Sequence, residues 1–265
     1  MKIIVPVKQV PESSNVKMDP ETGTVIRTGI ESVVNPLDLY AIEAALMLKE
    51  QYGAEVWALS MGPLQAMKVI KEAAAMGCDH GILISDRKFG GSDTWATSYI
   101  IAQAIRKIGD FDLIICGERA TDGDTAQVGP GIGAHLDIPV AAYVSSIGRL
   151  DKEGIRLERL VEEGYQQLSM AFPCLITVLK AVARPRLPTL KGKIRAKEMD
   201  IPVFSSENMD LDPECLGLKG SPTKVVKIEN VKVARSGKLH PAQDDDSLAK
   251  TLDELVAVLE ERSLI

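Results

Sequence analysis

Long apolar runs, paired cysteines and an excess of positive charge are all missing from this chain, and each absence removes a class of function. No stretch reaches the ~18 consecutive apolar residues of a bilayer-crossing helix, so no membrane span is expected. Cys78, Cys116, Cys174 and Cys215 lie far apart and form no C-x-x-C pair. They read as free thiols in a reducing cytoplasm, not as a disulfide framework. Met1-Lys2-Ile3-Ile4-Val5 runs directly into a strand and leaves no room for a signal peptide, so a cytoplasmic location is expected. With 37 acidic against 31 basic residues the net charge is −6, which argues against general nucleic-acid binding. Aromatic residues make up only 4% of the 265 positions while apolar residues reach 45%, the balance of an α/β protein built on Ala, Val, Ile and Leu.

Catalytic constellations are equally scarce. His80, His135 and His240 sit in separate contexts, none beside a plausible Ser or Cys nucleophile. There is no H-E-x-x-H spacing, and no G-x-G-x-x-G follows the first strand. Asp122 and Asp124 are so close together that they read as loop-shaping and capping residues more readily than as Mg²⁺ ligands. Glu162-Glu163 would point to opposite faces of a strand, which rules against a paired acid and base. No catalytic residue and no metal ligand is therefore assigned. The pattern favours a bound nucleotide-like ligand whose own chemistry does the work.

What is present is a loop. The apolar run 111–115 reads as a buried strand, and Ile132, Leu136 and Ile138 follow at helical spacing. Between them lies Cys116-Gly117-Glu118-Arg119-Ala120-Thr121-Asp122-Gly123-Asp124-Thr125-Ala126-Gln127-Val128-Gly129-Pro130. A strand, a loop of Gly and small polar residues and a helix start present free backbone N–H groups to an anion. Asp124 or Thr125 is the expected cap, and Thr125 is also suited to donate to a phosphate oxygen. An ordinary βα turn fits the same residues. The poor helix formers Gly129, Pro130, Gly131 and Gly133 tip the balance toward close approach of a ligand.

The first half of the chain alternates strands with helices. Residues 2–9 form a doubly covered strand, and 11–31 a polar hairpin or loop excursion with its clearest turn at 19–24. Asn35-Pro36 starts a helix, as a cap followed by proline, with Leu37, Ala41, Ala44, Ala45 and Leu48 buried up to Gly53. Residues 55–60 are the second strand, Gly62-Pro63 opens a helix to about Met76, and 81–85 is the third strand. The loop 86–93 carries two glycines, and Asp93 or Ser92 caps a helix ending near Gly109. The expected fold class is α/β, a Rossmann-like open twisted and mostly parallel sheet with right-handed crossovers. Ligands of such sheets sit at the carboxyl ends of strands near the reversal of strand order. That rule gathers Pro6, Asn35, Pro36, the 60–62 segment with Met61, and the Asp122 loop on one edge.

After Pro139 the pattern changes to strands at 141–147, 155–161, 165–170 and 174–179 joined by short turns such as 151–154, so antiparallel additions are expected. Residues 180–197 hold seven cations and no acid. Such a run is usually a solvated surface. The sharper reading is a docking loop for an acidic partner, with Leu187 and Leu190 as apolar tips and Lys191, Lys193 and Arg195 around them. Residues 200–241 contain little core material apart from a strand-like piece at 224–229, and suggest an arm that wraps another chain. A final helix over about 247–262, capped at Asp244-Asp245-Asp246, carries Leu248, Leu252, Leu255, Val256 and Leu259 on one face. The division is thus 1–200 as the nucleotide-binding α/β domain, including the loop 184–197, and 201–265 as a C-terminal arm.

Five blocks in order make the chain similar to the β subunit of electron transfer flavoproteins. They are Val5-Pro6-Val7-Lys8-Gln9-Val10-Pro11, Thr22-Gly23-Thr24 through Arg27, Asn35-Pro36-Leu37-Asp38 with Glu43-Ala44-Ala45, the 122–130 loop, and the segment from Val161-Glu162-Glu163-Gly164 to Pro173-Cys174-Leu175-Ile176-Thr177. The resemblance implies an adenine-nucleotide site formed by Pro6, Asn35, Pro36, Leu37, Asp38, Met61 and the loop Ala120, Thr121, Asp122, Gly123, Asp124, Thr125, Ala126, Gln127, Val128, Gly129, Pro130 and Gly131. It implies an α subunit carrying a second FAD, embraced by the arm, and a recognition loop near 186–197 that docks on an acyl-CoA dehydrogenase through Leu190. Housekeeping members hold only AMP here and take electrons from dehydrogenases. Bifurcating members hold FAD, oxidise NADH, and send one electron to the α-subunit flavin and the other to ferredoxin or flavodoxin. The opening block, the Thr-Gly-Thr hairpin and the glycine-bearing loop resemble the bifurcating kind, typical of anaerobes. Two readings from other classes stand behind these: a nucleotide-sensing ATP-binding module, and an enzyme activating a carboxylate with ATP.

Overall fold

The computed structural model describes residues 1–12, 32–151, 154–226, 239 and 244–265. The expected hairpin with Thr22-Gly23-Thr24 and Arg27, His240, and much of the strand-like piece at 224–229 lie outside the described residues. In chain order the elements begin with β1 (Lys2–Pro6), β2 (Gln9–Pro11), β3 (Ser32–Val34), α1 (Asp38–Tyr52), β4 (Glu55–Met61) and α2 (Met67–Met76). Next come β5 (His80–Ile84), α3 (Thr94–Ile108), β6 (Leu113–Gly117), α4 (Val128–Leu136), β7 (Val140–Leu150), β8 (Ile155–Val161), β9 (Gly164–Met170) and β10 (Cys174–Val178). The chain closes with α5 (Leu190–Glu198), β11 (Val203–Phe204) and α6 (Asp245–Glu261).

Among the described residues nine strands make one sheet in the order β11-β5-β4-β1-β6-β10-β7-β8-β9. Pairing is parallel from β11 to β7, and β8 and β9 add antiparallel members. The fold is the expected Rossmann-like α/β sheet. The central strands are continuously apolar because both faces are covered. Successive residues point to opposite sides, so Ile3 and Val5 pack with α1 and α2 while Ile4 packs with α3 and α4. Strand order reverses at β1, which has β4 on one side and β6 on the other.

Three local expectations are corrected. Asn35 does not cap α1: the helix starts at Asp38, and the Asn35 side chain is spent on other partners described below. Glu162 and Glu163 lie in the turn between β8 and β9, not in a strand. Residues 201–226, assigned from composition to the arm, stay on the sheet unit, which runs Met1–Val226, while Lys227–Ile265 forms a second unit. The reason is burial: β11 pairs with β5, and Ile201, Met209 and Leu216 are core residues. In the second unit α6 has a capping box, Asp244 accepting from the Ser247 amide while the Ser247 hydroxyl accepts from Asp244 N–H.

Candidate functional site

The carboxyl ends of β1, β4, β5 and β6 open onto a cleft of about 650 Å³ beside the strand reversal, within the range of small-molecule sites. Two walls face each other. One is the β6–α4 loop with the β1 end and the start of α1. The other is the loop from β5 into α3, residues 85–97.

The first wall is held by Asn35 and Asp38. Asn35 is buried, and its Nδ2 donates to Asp38 Oδ1 at 2.9 Å and to the Arg119 carbonyl at 2.9 Å, while its Oδ1 accepts from the Thr121 amide at 3.2 Å. Asp38 Oδ2 accepts from the Lys8 amide at 2.7 Å. One amide and one carboxylate thereby tie β1, α1 and the β6–α4 loop together. Burial pushes the Asp38 carboxyl up to about 7, against the hydrogen bonds from Lys8 and Asn35 and the Lys8 charge. Gly117 is required at the end of β6, since a Cβ there would press into Asp38 Oδ1 and the backbone of Leu37 and Asp38.

Further along this wall the backbone turns sharply. Asp124 and Ala126 have φ of 54° and 55°, a left-handed conformation rare for residues with a Cβ and concentrated at functional sites. Ala126 is followed by right-handed Gln127 (φ −100°, ψ −25°), an alternation that turns successive N–H groups toward one concavity. Two ion pairs brace the turn, Lys8 with Asp122 at 2.6 Å and Arg119 with Asp124 at 2.5 Å. The expected capping by Asp124 or Thr125 is not found, because Asp124 is taken by Arg119 and α4 begins after Gln127 with no side-chain cap. The first N–H groups of α4, those of Val128 and Gly129, have no carbonyl one turn back. Both residues line the cleft.

Of the residues expected at a nucleotide site, Pro6, Asn35, Asp38, Met61, Ala120, Gly123, Thr125, Ala126, Gln127, Val128 and Gly129 line the cleft. The others support it from behind. Pro36 and Leu37 form the turn into α1 with Leu37 in the core, Thr121 and Asp122 hold Asn35 and Lys8, and Pro130 and Gly131 belong to α4. The 85–97 wall was not anticipated beyond its two glycines and the Asp93 cap. Asp93 does cap α3, accepting from the amides of Trp95 and Ala96 at 3.0 Å each.

Outside the cleft, Leu187 and Leu190 are 87% and 78% exposed beside exposed Lys191 and Lys193. Arg195, also exposed, donates through Nη2 to the carbonyls of Ala74 and Cys78 at the end of α2, at 2.8 and 3.0 Å, which anchors the segment to α2. His80 stacks on Trp57 and pairs with Glu55, and His135 packs against Trp95 and Tyr99. Burial keeps the Cys116 thiol, on the cleft lining, protonated. Among the described residues there is no group of His, Cys, Asp and Glu suited to a metal, and no helix is long and apolar enough to cross a membrane.

A doubly wound sheet with a large cleft at its switch point, lined by an uncapped helix N-terminus, defines an α/β protein of the Rossmann-like class, in which such a cleft suits an anionic ligand. The family follows from comparison with known proteins. The electron transfer flavoprotein domain model matches residues 22–208. The chain is 41% identical over its full length, and that of the relative, to the caffeyl-CoA reductase–Etf complex subunit CarD of Acetobacterium woodii. It is 43% identical to the electron transfer flavoprotein subunit beta of Megasphaera elsdenii, over 97% of this chain and 98% of the relative. To the acryloyl-CoA reductase electron transfer subunit gamma of Anaerotignum propionicum it is 40% identical, again over 97% and 98%. The chain belongs to the electron transfer flavoprotein family, as a β-type subunit.

Proposed function

We propose that the cleft holds FAD, that NADH is its electron donor, and that the chain works in a heterodimer of the bifurcating kind. The observation that carries this reading is the extent of the cleft: at about 650 Å³ it is lined by both the 120–129 wall and a second wall at 85–97, which favours a ligand larger than a mononucleotide. The residues fit the group. The Ala126–Gln127 turn and the open N–H groups of Val128 and Gly129 suit a pyrophosphate, with the Thr125 hydroxyl as a further donor. Bound FAD supplies the redox chemistry, and protein residues position it and set its potential through hydrogen bonds and nearby charge. The partners in this reading are an α subunit with its own FAD, an acyl-CoA dehydrogenase-type flavoprotein, and ferredoxin or flavodoxin. Relatives named for caffeyl-CoA and acryloyl-CoA reductases favour a partner that works on CoA thioesters.

The test is the flavin and AMP content of the chain purified with its α subunit. Two FAD per heterodimer, bleached by NADH, supports the proposal. One FAD and one AMP, with no response to NADH, overturns it in favour of an electron shuttle that serves acyl-CoA dehydrogenases. A colourless chain would indicate a nucleotide-sensing module. Thr125→Val removes one donor, and Asp124→Ala frees Arg119 and the turn. Each is expected to weaken flavin retention by about threefold to tenfold, the range for one hydrogen bond, and unchanged retention in both counts against the assigned contacts.

A further inference from the structure

The 85–97 wall of the cleft packs on the sheet core through buried Phe89, but its turns are not held by the sheet. They are held by a segment more than a hundred residues later in the chain. After β11 pairs with β5, residues 205–223 run back over this loop and meet it at four places. Asp86 accepts from the Lys88 amide through Oδ1, at 2.9 Å, and through Oδ2 from the amide and hydroxyl of Ser206, at 3.0 and 2.5 Å. Asp93 repeats the arrangement. Its Oδ1 caps α3, and its Oδ2 accepts from the amide and hydroxyl of Thr223 at 2.9 and 2.7 Å. The Asp93 amide in turn donates to the Ser221 hydroxyl at 2.9 Å.

Between these ends the two segments interlock sterically. Gly217, at φ 56°, lies against the carbonyls of Lys88 and Gly90, and Leu218 covers Gly91. Met209 and Leu216 plug into the core under α3, and the Asp212 amide donates to the Tyr99 hydroxyl at 2.9 Å. Each of the two aspartates therefore uses one carboxylate oxygen to shape its own loop and the other to grip the strap. Partial burial opposes ionisation of Asp93, and the bonds from Thr223, Ala96 and Trp95 outweigh it, holding this carboxyl below its usual range.

We infer that the strap 205–223 sets which nucleotide the cleft retains, with Ser206 and Thr223 as positioning residues that hold the 85–97 wall in place for the half of a dinucleotide lying beyond the 120–129 loop. A mononucleotide seated at the 120–129 wall and Asn35 rests chiefly on the first wall, whose Asn35 and Asp38 ties run to β1 and α1 and not to the strap, although Thr94 Oγ1 of the second wall donates to Gln127 Oε1 at 2.9 Å. A dinucleotide needs both walls. Neither Ser206 nor Thr223 lines the cleft, so their effect passes through Asp86 and Asp93. This inference rests on the FAD reading above.

The experiment uses the full chain with its α subunit, stripped of nucleotide and titrated separately with FAD and AMP. Thr223→Val combined with Ser206→Ala deletes the two strap hydroxyls and leaves α3 capped. The expected result is about a tenfold loss in FAD affinity at this site, with AMP affinity changed less than twofold, and recovery of FAD affinity in Thr223→Ser. Equal losses for both ligands would overturn the inference by showing general damage, and so would unchanged FAD affinity. If the unmodified heterodimer itself carries one FAD and one AMP, the FAD reading fails first, and that outcome is read before any variant is made.

Discussion

Asp38 places an acid in the core at the point where β1, α1 and the β6–α4 loop meet. Its folded-state value of about 7 lies above the ordinary 3.8, so the native chain binds this proton more tightly than the unfolded chain. By linkage the group's contribution to stability is complete below about pH 4 and is lost as pH rises through about 7. Asp38→Asn stays neutral throughout. The nucleotide-free variant should therefore show a flatter dependence of Tm on pH between about 4 and 8 than the parent chain. Equal slopes would mean that Asp38 ionises in the folded protein near its ordinary value. The same residue shows where sequence reading stops. The Asn35-Pro36 pair announces α1 a little early, since the helix starts at Asp38, and the cap it suggests is pre-empted by partners 84 and 86 positions away, Arg119 and Thr121.

Among the elements, the segment from Arg186 through α5 is the clearest case of charges with two roles. Read along the chain, it is a run of cations around exposed leucines. In the structure Arg186 reaches back to α1, its Nε and Nη2 bonding the buried Glu43 carboxylate at 2.8–3.1 Å and its Nη1 bonding Glu50 at 2.5 Å. The Arg186 hydrogen bond holds the Glu50 carboxyl below its usual range. Arg195 ties to α2, and a Cβ on Gly192 would press into the Ala75 carbonyl. Leu187 and Leu190 project from a braced segment, and pre-organisation of this kind lowers the entropy lost on docking. Arg186→Ala strands the Glu43 carboxylate and should destabilise the chain by roughly 1–3 kcal/mol. If this segment docks the proposed acyl-CoA dehydrogenase-type partner, the variant should also raise the KM for that partner while flavin content stays unchanged. A variant with unaltered KM would separate this segment from partner docking. The two walls of the cleft differ in the same way. The β6–α4 wall is legible because Gly, Pro and small polar residues concentrate there. The β5–α3 wall is built from ordinary turn residues, and its brace arrives from residues 205–223, a relation that no local pattern encodes.

At the scale of the whole molecule, strand-helix alternation was enough to anticipate the parallel sheet and the strand reversal that locates the cleft, because each βαβ unit has one favoured hand. The end of the sheet unit was not legible in this way. Residues 201–226 are rich in turn formers and poor in periodicity, yet they bury Met209 and Leu216 and supply β11. The compact unit therefore closes at Val226, and only the stretch from Lys227 onward forms a separate one. Its helix α6 carries Leu248, Leu252 and Leu255, each about half exposed at 45%, 51% and 52%. A helix face of this kind is stabilised by burial against another surface more than by its own propensity. If that surface belongs to the α subunit, a chain ending at Val226 should unfold cooperatively on its own, because the sheet unit has its complete core, but should fail to co-purify with the α subunit. Size-exclusion chromatography and thermal unfolding of the truncated chain read both outcomes. A truncated chain that still forms the heterodimer would move the interface onto the sheet unit. One that aggregates without folding would make residues 227–265 part of what stabilises that unit.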